Sequence, residues 1–242
     1  MSTTEQRVSR VVSRGSTSLK LAFAVSAALS IGAHAAVAAE VPPEGVTVAF
    51  VGDQGVGGDA RDVLELVASE GTDLLVLLGD YGYQRGKADN WVRNMEQTLD
   101  PDLPVLGVVG NHENFQWPTY RNWLVQRAAR VPELICTGDP GVKAHCTFRG
   151  VSILQVAPGV HEVAGVKSRD DYAGYLRREL ADDPNPWRIC SWHKQMTDMQ
   201  VGGKGDSTGW DVYEACREGG GIIATAVLIA AAVFVRGLRD DA

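Results

Sequence analysis

Two aspartates, an asparagine and two histidines stand just past apolar runs of this chain, and together they offer the donor set of a cation site. Asp53 follows Val46–Val51 (VTVAFV), Asp80 follows Leu74–Leu78 (LLVLL), and Asn111-His112-Glu113 follows Pro104–Val109 (PVLGVV). His193 follows Trp187–Ser191 (WRICS). Carboxylate and amide oxygens with one or two imidazoles suit zinc, manganese or iron better than a metal that prefers thiolates. Each residue alone has a plainer explanation. Gly-Asp after a strand makes a good turn and helix cap, and a solitary histidine is more often a hydrogen-bonded structural group. Four such endings in order, each after an apolar strand, are hard to explain by turn chemistry.

The segments between these runs read as helices. Asp59 can cap a helix that places Val63, Leu64, Leu66 and Val67 on one face. Trp91–Leu99, Tyr120–Arg130, Asp171–Leu180 and Asp211–Arg217 are helical by period, whereas Val151–Val156 and Gly221–Ala226 read as further strands. Strands separated by helices predict an α/β protein with a largely parallel or mixed sheet. Ligands of such sheets bind in the crevice beyond the carboxyl ends of the strands, where all four endings fall. The Gly-rich stretch Val201–Gly209 reads as a mobile loop beside it.

The 242 residues are ample for a sizeable core, and 22% charged side chains is ordinary for a globular protein. Residues 1–39 read as a separate object, a secretory signal peptide. Arg7, Arg10, Arg14 and Lys20 make a basic start, Leu21–Ile31 is apolar, and Ala33-His34-Ala35 and Ala36-Val37-Ala38 supply small-residue exits. That leader predicts a secreted or periplasmic protein. Without its four basic and one acidic residue, the chain keeps 19 Lys+Arg against 29 Asp+Glu, a net charge of −10. A field of that sign attracts neither nucleic acid nor anionic lipid, and an anionic substrate would need a local positive charge such as bound metal. Four cysteines remain, and an even count in an exported protein favours two disulfides over free thiols. Cys136–Cys146 would close a loop holding Gly138, Pro140 and Gly141, and Cys190–Cys216 would tie a strand to a later helix.

The order of these motifs resembles the calcineurin-like metallophosphoesterases, and among them is similar to the purple acid phosphatases. Gly52-Asp53-Gln54-Gly55 matches their first motif and Gly79-Asp80-Tyr81-Gly82-Tyr83 the second. Gly110-Asn111-His112-Glu113 matches the third, and Ser191-Trp192-His193-Lys194 resembles the fourth. The resemblance implies an αββα sandwich over residues 40–218 and hydrolysis of phosphate esters by a binuclear centre, with a metal-bound hydroxide as nucleophile. It also implies the roles. Asp53 and Tyr83 bind a first metal, Asp80 bridges both, and Asn111 and His193 bind the second; the ions are iron, zinc or manganese. His112 hydrogen-bonds the substrate or protonates the leaving group. The partner is a small phosphorylated substrate, bordered by Lys194, Thr197 and the Gly-rich loop.

The family's fifth motif, Gly-His-x-His, has no counterpart here. The strand Gly221–Thr225 continues as Ala226-Val227-Leu228-Ile229-Ala230, and no histidine follows His193. Residues 219–242 therefore read as an apolar tail, with 14 uncharged residues from Ile222 to Val235, below the ~17–25 of a membrane helix. Three origins are open: a truncated or frameshifted end that also costs the sandwich its second half, a short membrane anchor, or a last core element. The first implies a catalytically impaired relative that binds metal or phosphate weakly. His145 and His161, read as lying in loops, and Asp206 and Asp211 are weak substitutes for the missing ligands.

Three other patterns are set aside. Gly55-Val56-Gly57-Gly58-Asp59-Ala60 fits a dinucleotide fingerprint, but Asp53 and Asp59 would put negative charge beside a pyrophosphate. Gly203-Lys204-Gly205 lacks the Ser or Thr of a phosphate-binding loop. Gly205-Asp206-Ser207-Thr208-Gly209 has neither a strand before it nor a histidine after it, as a serine-hydrolase elbow requires.

Overall fold

The computed structural model describes residues 45–83, 86, 88–167, 170–199, 205–226 and 232–235. Two sheets and five α-helices make up these residues. In the first sheet, β1 (Val48–Val51), β2 (Leu74–Leu77) and β3 (Val105–Gly107) run parallel, and β9 (Ala232–Val235) pairs antiparallel with β1. The strand order is β3-β2-β1-β9. The second sheet runs β4-β5-β6-β7-β8, from β4 (Ile135–Asp139), β5 (Lys143–Phe148), β6 (Val151–Val156), β7 (Trp187–Trp192) and β8 (Ile222–Thr225). Its first three strands are antiparallel, and β6, β7 and β8 are parallel.

Alternation along the strands explains the layers. Val48, Phe50, Leu74, Val76 and Leu106 meet Phe148, Val151, Ile153 and Ile189 of the second sheet in one core. The opposite faces carry Ala49, Val51, Leu75, Leu77 and Val105, which pack with α1 (Gly58–Ser69), α2 (Ala88–Thr98) and α3 (Trp117–Ala128). Leu154, Val156, Cys190 and Trp192 do the same for α4 (Tyr172–Ala181) and α5 (Trp210–Glu218). Strands covered on both faces have no solvated side, which is why β1 and β2 read as unbroken apolar runs and β6 is interrupted only by the buried Ser152 and Gln155. The result is the expected helix–sheet–sheet–helix sandwich. Both expected disulfides are present, Cys136–Cys146 across β4 and β5 and Cys190–Cys216 from β7 to α5.

Several expectations are corrected. Gly57, not Asp59, caps α1, and Asp59 lies in the first turn, where its charge complements the exposed backbone N–H groups. His145 lies on β5 and not in a loop. Its ring bridges Glu179 and Ser152 at 3.1 and 3.3 Å, far in the chain from the strand-end ligands. The second sheet keeps five strands, so the sandwich has not lost its second half, and segments 222–225 and 232–235 of the expected tail each join a sheet. Among the described residues no helix is long and apolar enough to cross a membrane. The expected leader, residues 1–39, and residues 201–204 of the Gly-rich loop lie outside the described residues.

Candidate metal centre

The backbone turns sharply where β1 and β2 end. Asp53 and Asp80 have φ of 52° and 55°, in the left-handed region that aspartate and asparagine tolerate better than most residues. Gly79, just before Asp80, has φ 87°. A Cβ on Gly79 would lie 2.9 Å from the Gly110 Cα and N and from His193 Cγ, so three motif-bearing segments meet at this glycine. Gly79→Ala combines a disfavoured φ with a collision against backbone, and we expect it to cost ~2–4 kcal/mol. Thermal denaturation measures this, and a melting temperature within a degree of the parent would contradict it.

All six side chains expected at the site converge there. Asp53, Asp80 and His193 each present a ligand atom within 4.8 Å of the others. His193 Nε2 lies 3.3 Å from Asp80 Oδ2 and 3.2 Å from Asn111 Oδ1. Tyr83 donates its hydroxyl to Asp53 Oδ1 at 2.6 Å, and its ring lies 4.7 Å from that of His112. The backbone N–H of His112 donates to Asp80 Oδ1 at 2.9 Å, while its half-exposed Nε2 stands 3.9 Å from Asp80 Oδ2. Lys194 and Thr197 are otherwise engaged: Lys194 pairs with Glu162 at 3.2 Å, and the Thr197 N–H donates to Asp206.

The sequence reading gave Glu113 no role, yet it holds the site's frame. Its carboxylate, fully buried, accepts from the N–H groups of Tyr81 at 2.8 Å, Asp80 at 3.1 Å and Gly110. One side chain thus pins the loop after β2 to the loop after β3. Burial, then the neighbouring Asp80 charge, pushes its pKa up to about 7. The Tyr81 hydroxyl adds a second tie, donating to the Val108 carbonyl at 2.6 Å. Loop one is anchored by α2, where Trp91 donates to Gln54 at 2.9 Å and Asn94 to the Val56 carbonyl at 3.1 Å.

Electrostatics and tautomer both fit a cation. His193 Nδ1 donates to the Leu78 carbonyl at 2.8 Å, leaving Nε2 facing the oxygens of Asp80 and Asn111. Burial opposes a charge on this ring, yet Asp80, Glu113 and Asp53 raise its pKa above the ordinary imidazole value. Burial likewise works against the Asp80 charge, and His193 and the His112 N–H outweigh it, holding the carboxyl below its ordinary value. Burial and the Asp53 carboxylate keep the Tyr83 phenol protonated far above its ordinary range. Such a pocket of carboxylates attracts positive charge, and a metal ion bound there would reverse the shift on Tyr83.

The resemblance puts the absent fifth motif directly after β8, where Ala226 stands. Ala226, directly after β8, packs against Gly52, whose Cβ would lie 3.2 Å from the Ala226 Cβ. A methyl group therefore stands beside the Asp53 loop.

No curated protein sequence matches the chain. Among solved structures it is similar to the purple acid phosphatase PPD1 from yellow lupin (Lupinus luteus) seeds, with 18% identity and a TM-score of 0.39, over 62% of this chain and 30% of that one. It is also similar to TT1561 of Thermus thermophilus, with 16% identity and a TM-score of 0.45, over 74% of this chain and 80% of that one. For PhoD the figures are 14% identity and a TM-score of 0.40, over 74% of this chain and 50% of that one. The chain thus spans about a third of the lupin enzyme's length and half of PhoD's. The family model for the calcineurin-like phosphoesterase domain matches residues 46–229, which covers every residue of the site and β8. The chain belongs to the calcineurin-like phosphoesterase family.

Proposed function

We propose that this chain hydrolyses phosphate esters at a binuclear metal centre of the purple-acid-phosphatase kind. The observation that carries the reading is the convergence of Asp53, Asp80 and His193 within 4.8 Å, with the His193 ring oriented by the Leu78 carbonyl. Asp53 and Tyr83 would hold one ion, Asn111 and His193 the other, and Asp80 both. That division gives three protein ligands per ion, the number with which catalytic zinc sites keep a position open. Bound iron, zinc or manganese supplies Lewis acidity and a low-pKa water for displacement at phosphorus.

The remaining work falls to this chain's own residues. Asp80 is fixed by the His112 N–H, and Asn111 is held against His193, so the donors are positioned before substrate arrives. The exposed His112 imidazole, tilted against the Tyr83 ring, is placed to hydrogen-bond a phosphoryl oxygen or protonate the leaving group. The two disulfides fit an extracellular or periplasmic protein. We extend the proposal to export, with residues 1–39 as a removable leader and residues 40–218 as the main body of the enzyme.

Ala226 beside Gly52 favours a second reading, a family member of weakened metal affinity and low turnover. Purified protein tested on p-nitrophenyl phosphate and its bis ester, with added zinc, manganese or iron, separates the two. We expect metal-dependent release of nitrophenol that a chelator abolishes. No release above the uncatalysed background with any metal would remove the enzyme reading and leave the second.

A further inference from the structure

Outside the cluster of strand-end ligands, a cavity of about 250 Å³ opens between α3, the edge of the first sheet and the β4–β5 hairpin. Its walls are apolar: Val105, Leu106, Leu124, Val125, Ala128 and Leu134 line it beside the Cys136–Cys146 disulfide. Val125 and Cys136 are exposed, so the cavity meets the surface at its rim. Gln155 is the one polar side chain of an otherwise uncharged lining.

The amide orientation of Gln155 is set by its neighbour. The Gly141 N–H donates to Gln155 Oε1 at 3.0 Å, which requires the carbonyl oxygen on that side. Gln155 Nε2 is then left buried without a hydrogen-bond partner, on a side chain that is 1% exposed. A buried donor in that condition costs free energy until an acceptor reaches it. Apolar cavities of roughly 150 Å³ already hold benzene, so this one has room for a substituted ring.

We propose that the cavity binds a small, uncharged, largely apolar molecule carrying one hydrogen-bond acceptor, of the size of an aryl ketone. The apolar walls bury the ring, and the acceptor takes the free N–H of Gln155. Charged ligands are excluded because no ionic side chain lines the walls to pair with them. The site is linked to the loop after β3, because the Gly141 that holds Gln155 also accepts from the Val109 N–H at 2.9 Å.

The test is a titration of the full chain with acetophenone and, separately, with α-methylstyrene, a hydrocarbon of the same shape with a CH2 group in place of the carbonyl oxygen. Solution NMR follows the Gln155 side-chain amide protons. We expect saturable binding of the ketone, about fivefold tighter than the hydrocarbon, with a Gln155 amide shift produced by the ketone alone. Ala128→Phe, which fills the cavity from a partly exposed helix position, should abolish both. Equal affinity for the two probes, absence of saturable binding, or undiminished binding by folded Ala128→Phe would overturn the proposal. The ketone–hydrocarbon comparison on the unaltered chain decides the matter even if that variant does not fold.

Discussion

Asp80→Ala is expected to lower phosphoester turnover about a thousandfold, equivalent to ~4 kcal/mol of transition-state stabilisation. Asp80 is the donor shared by every part of the proposed centre. It faces His193 at 3.3 Å, accepts from the His112 backbone at 2.9 Å, and lies with Asp53 within 4.8 Å. Glu113 cannot take its place, since it already accepts three backbone N–H groups. Asp80→Asn sharpens the test. It keeps the shape and an oxygen for the His112 N–H, but removes the charge that holds a cation. Both variants should lose turnover together, and Asp80→Asn, which tolerates the left-handed φ of 55°, should keep the melting temperature of the metal-free protein near that of the parent. Turnover within tenfold of the parent in Asp80→Asn would mean that the carboxylate is not a ligand.

Glu113→Gln carries the second large effect, on stability and metal binding together. The carboxylate accepts from Tyr81, Asp80 and Gly110, and a glutamine offers a single acceptor oxygen with an NH2 group beside it. At least one buried N–H is then opposed by another donor, at ~1–3 kcal/mol for each unsatisfied group. We expect a loss of ~2–4 kcal/mol in denaturant unfolding of the metal-free protein. The partners of metal ligands matter to affinity as well, and removing one typically costs ~10–100-fold. Zinc affinity of the folded variant should therefore fall by that amount, although Glu113 itself touches no ion. Parent-like unfolding and parent-like zinc affinity would show that the two loops are held by other contacts, such as the Tyr81 hydroxyl on Val108.

Much of this was legible in the sequence because burial leaves a simple trace. β1 and β2 are covered on both faces and so appear as continuous apolar runs, and each leads into a motif aspartate. Gly79 and Gly110 stand before Asp80 and Asn111 for a steric reason, since a Cβ on Gly110 would run into the Asp80 carboxylate and amide. The β4–β5 hairpin left no such trace. Ile135–Asp139 is an exposed edge strand containing glycine, and its pairing is set by β5 and not by an apolar face. β9 was hidden for the opposite reason. Ala232–Val235 sits inside a run of uniform apolar character, where no turn residue marks a boundary and only its antiparallel pairing with β1 defines a strand. The part played by Glu113 was unreadable because its partners Tyr81 and Asp80 lie more than 30 positions earlier in the chain. Its place beside His112 says nothing of which way the side chain turns.

On the proposed function, Asp53, Tyr83, Asp80, Asn111 and His193 suffice to hold two ions without the fifth-motif histidines that the resemblance would put after β8. Elemental analysis of metal per chain, on protein saturated with zinc or iron and freed of excess, tests it most directly. We predict close to two ions per chain, falling below one in Asp80→Ala. A parent value well below one, unchanged by Asp80→Ala, would contradict the account, and the alanine beside Gly52 would then mark a centre that no longer holds its metals.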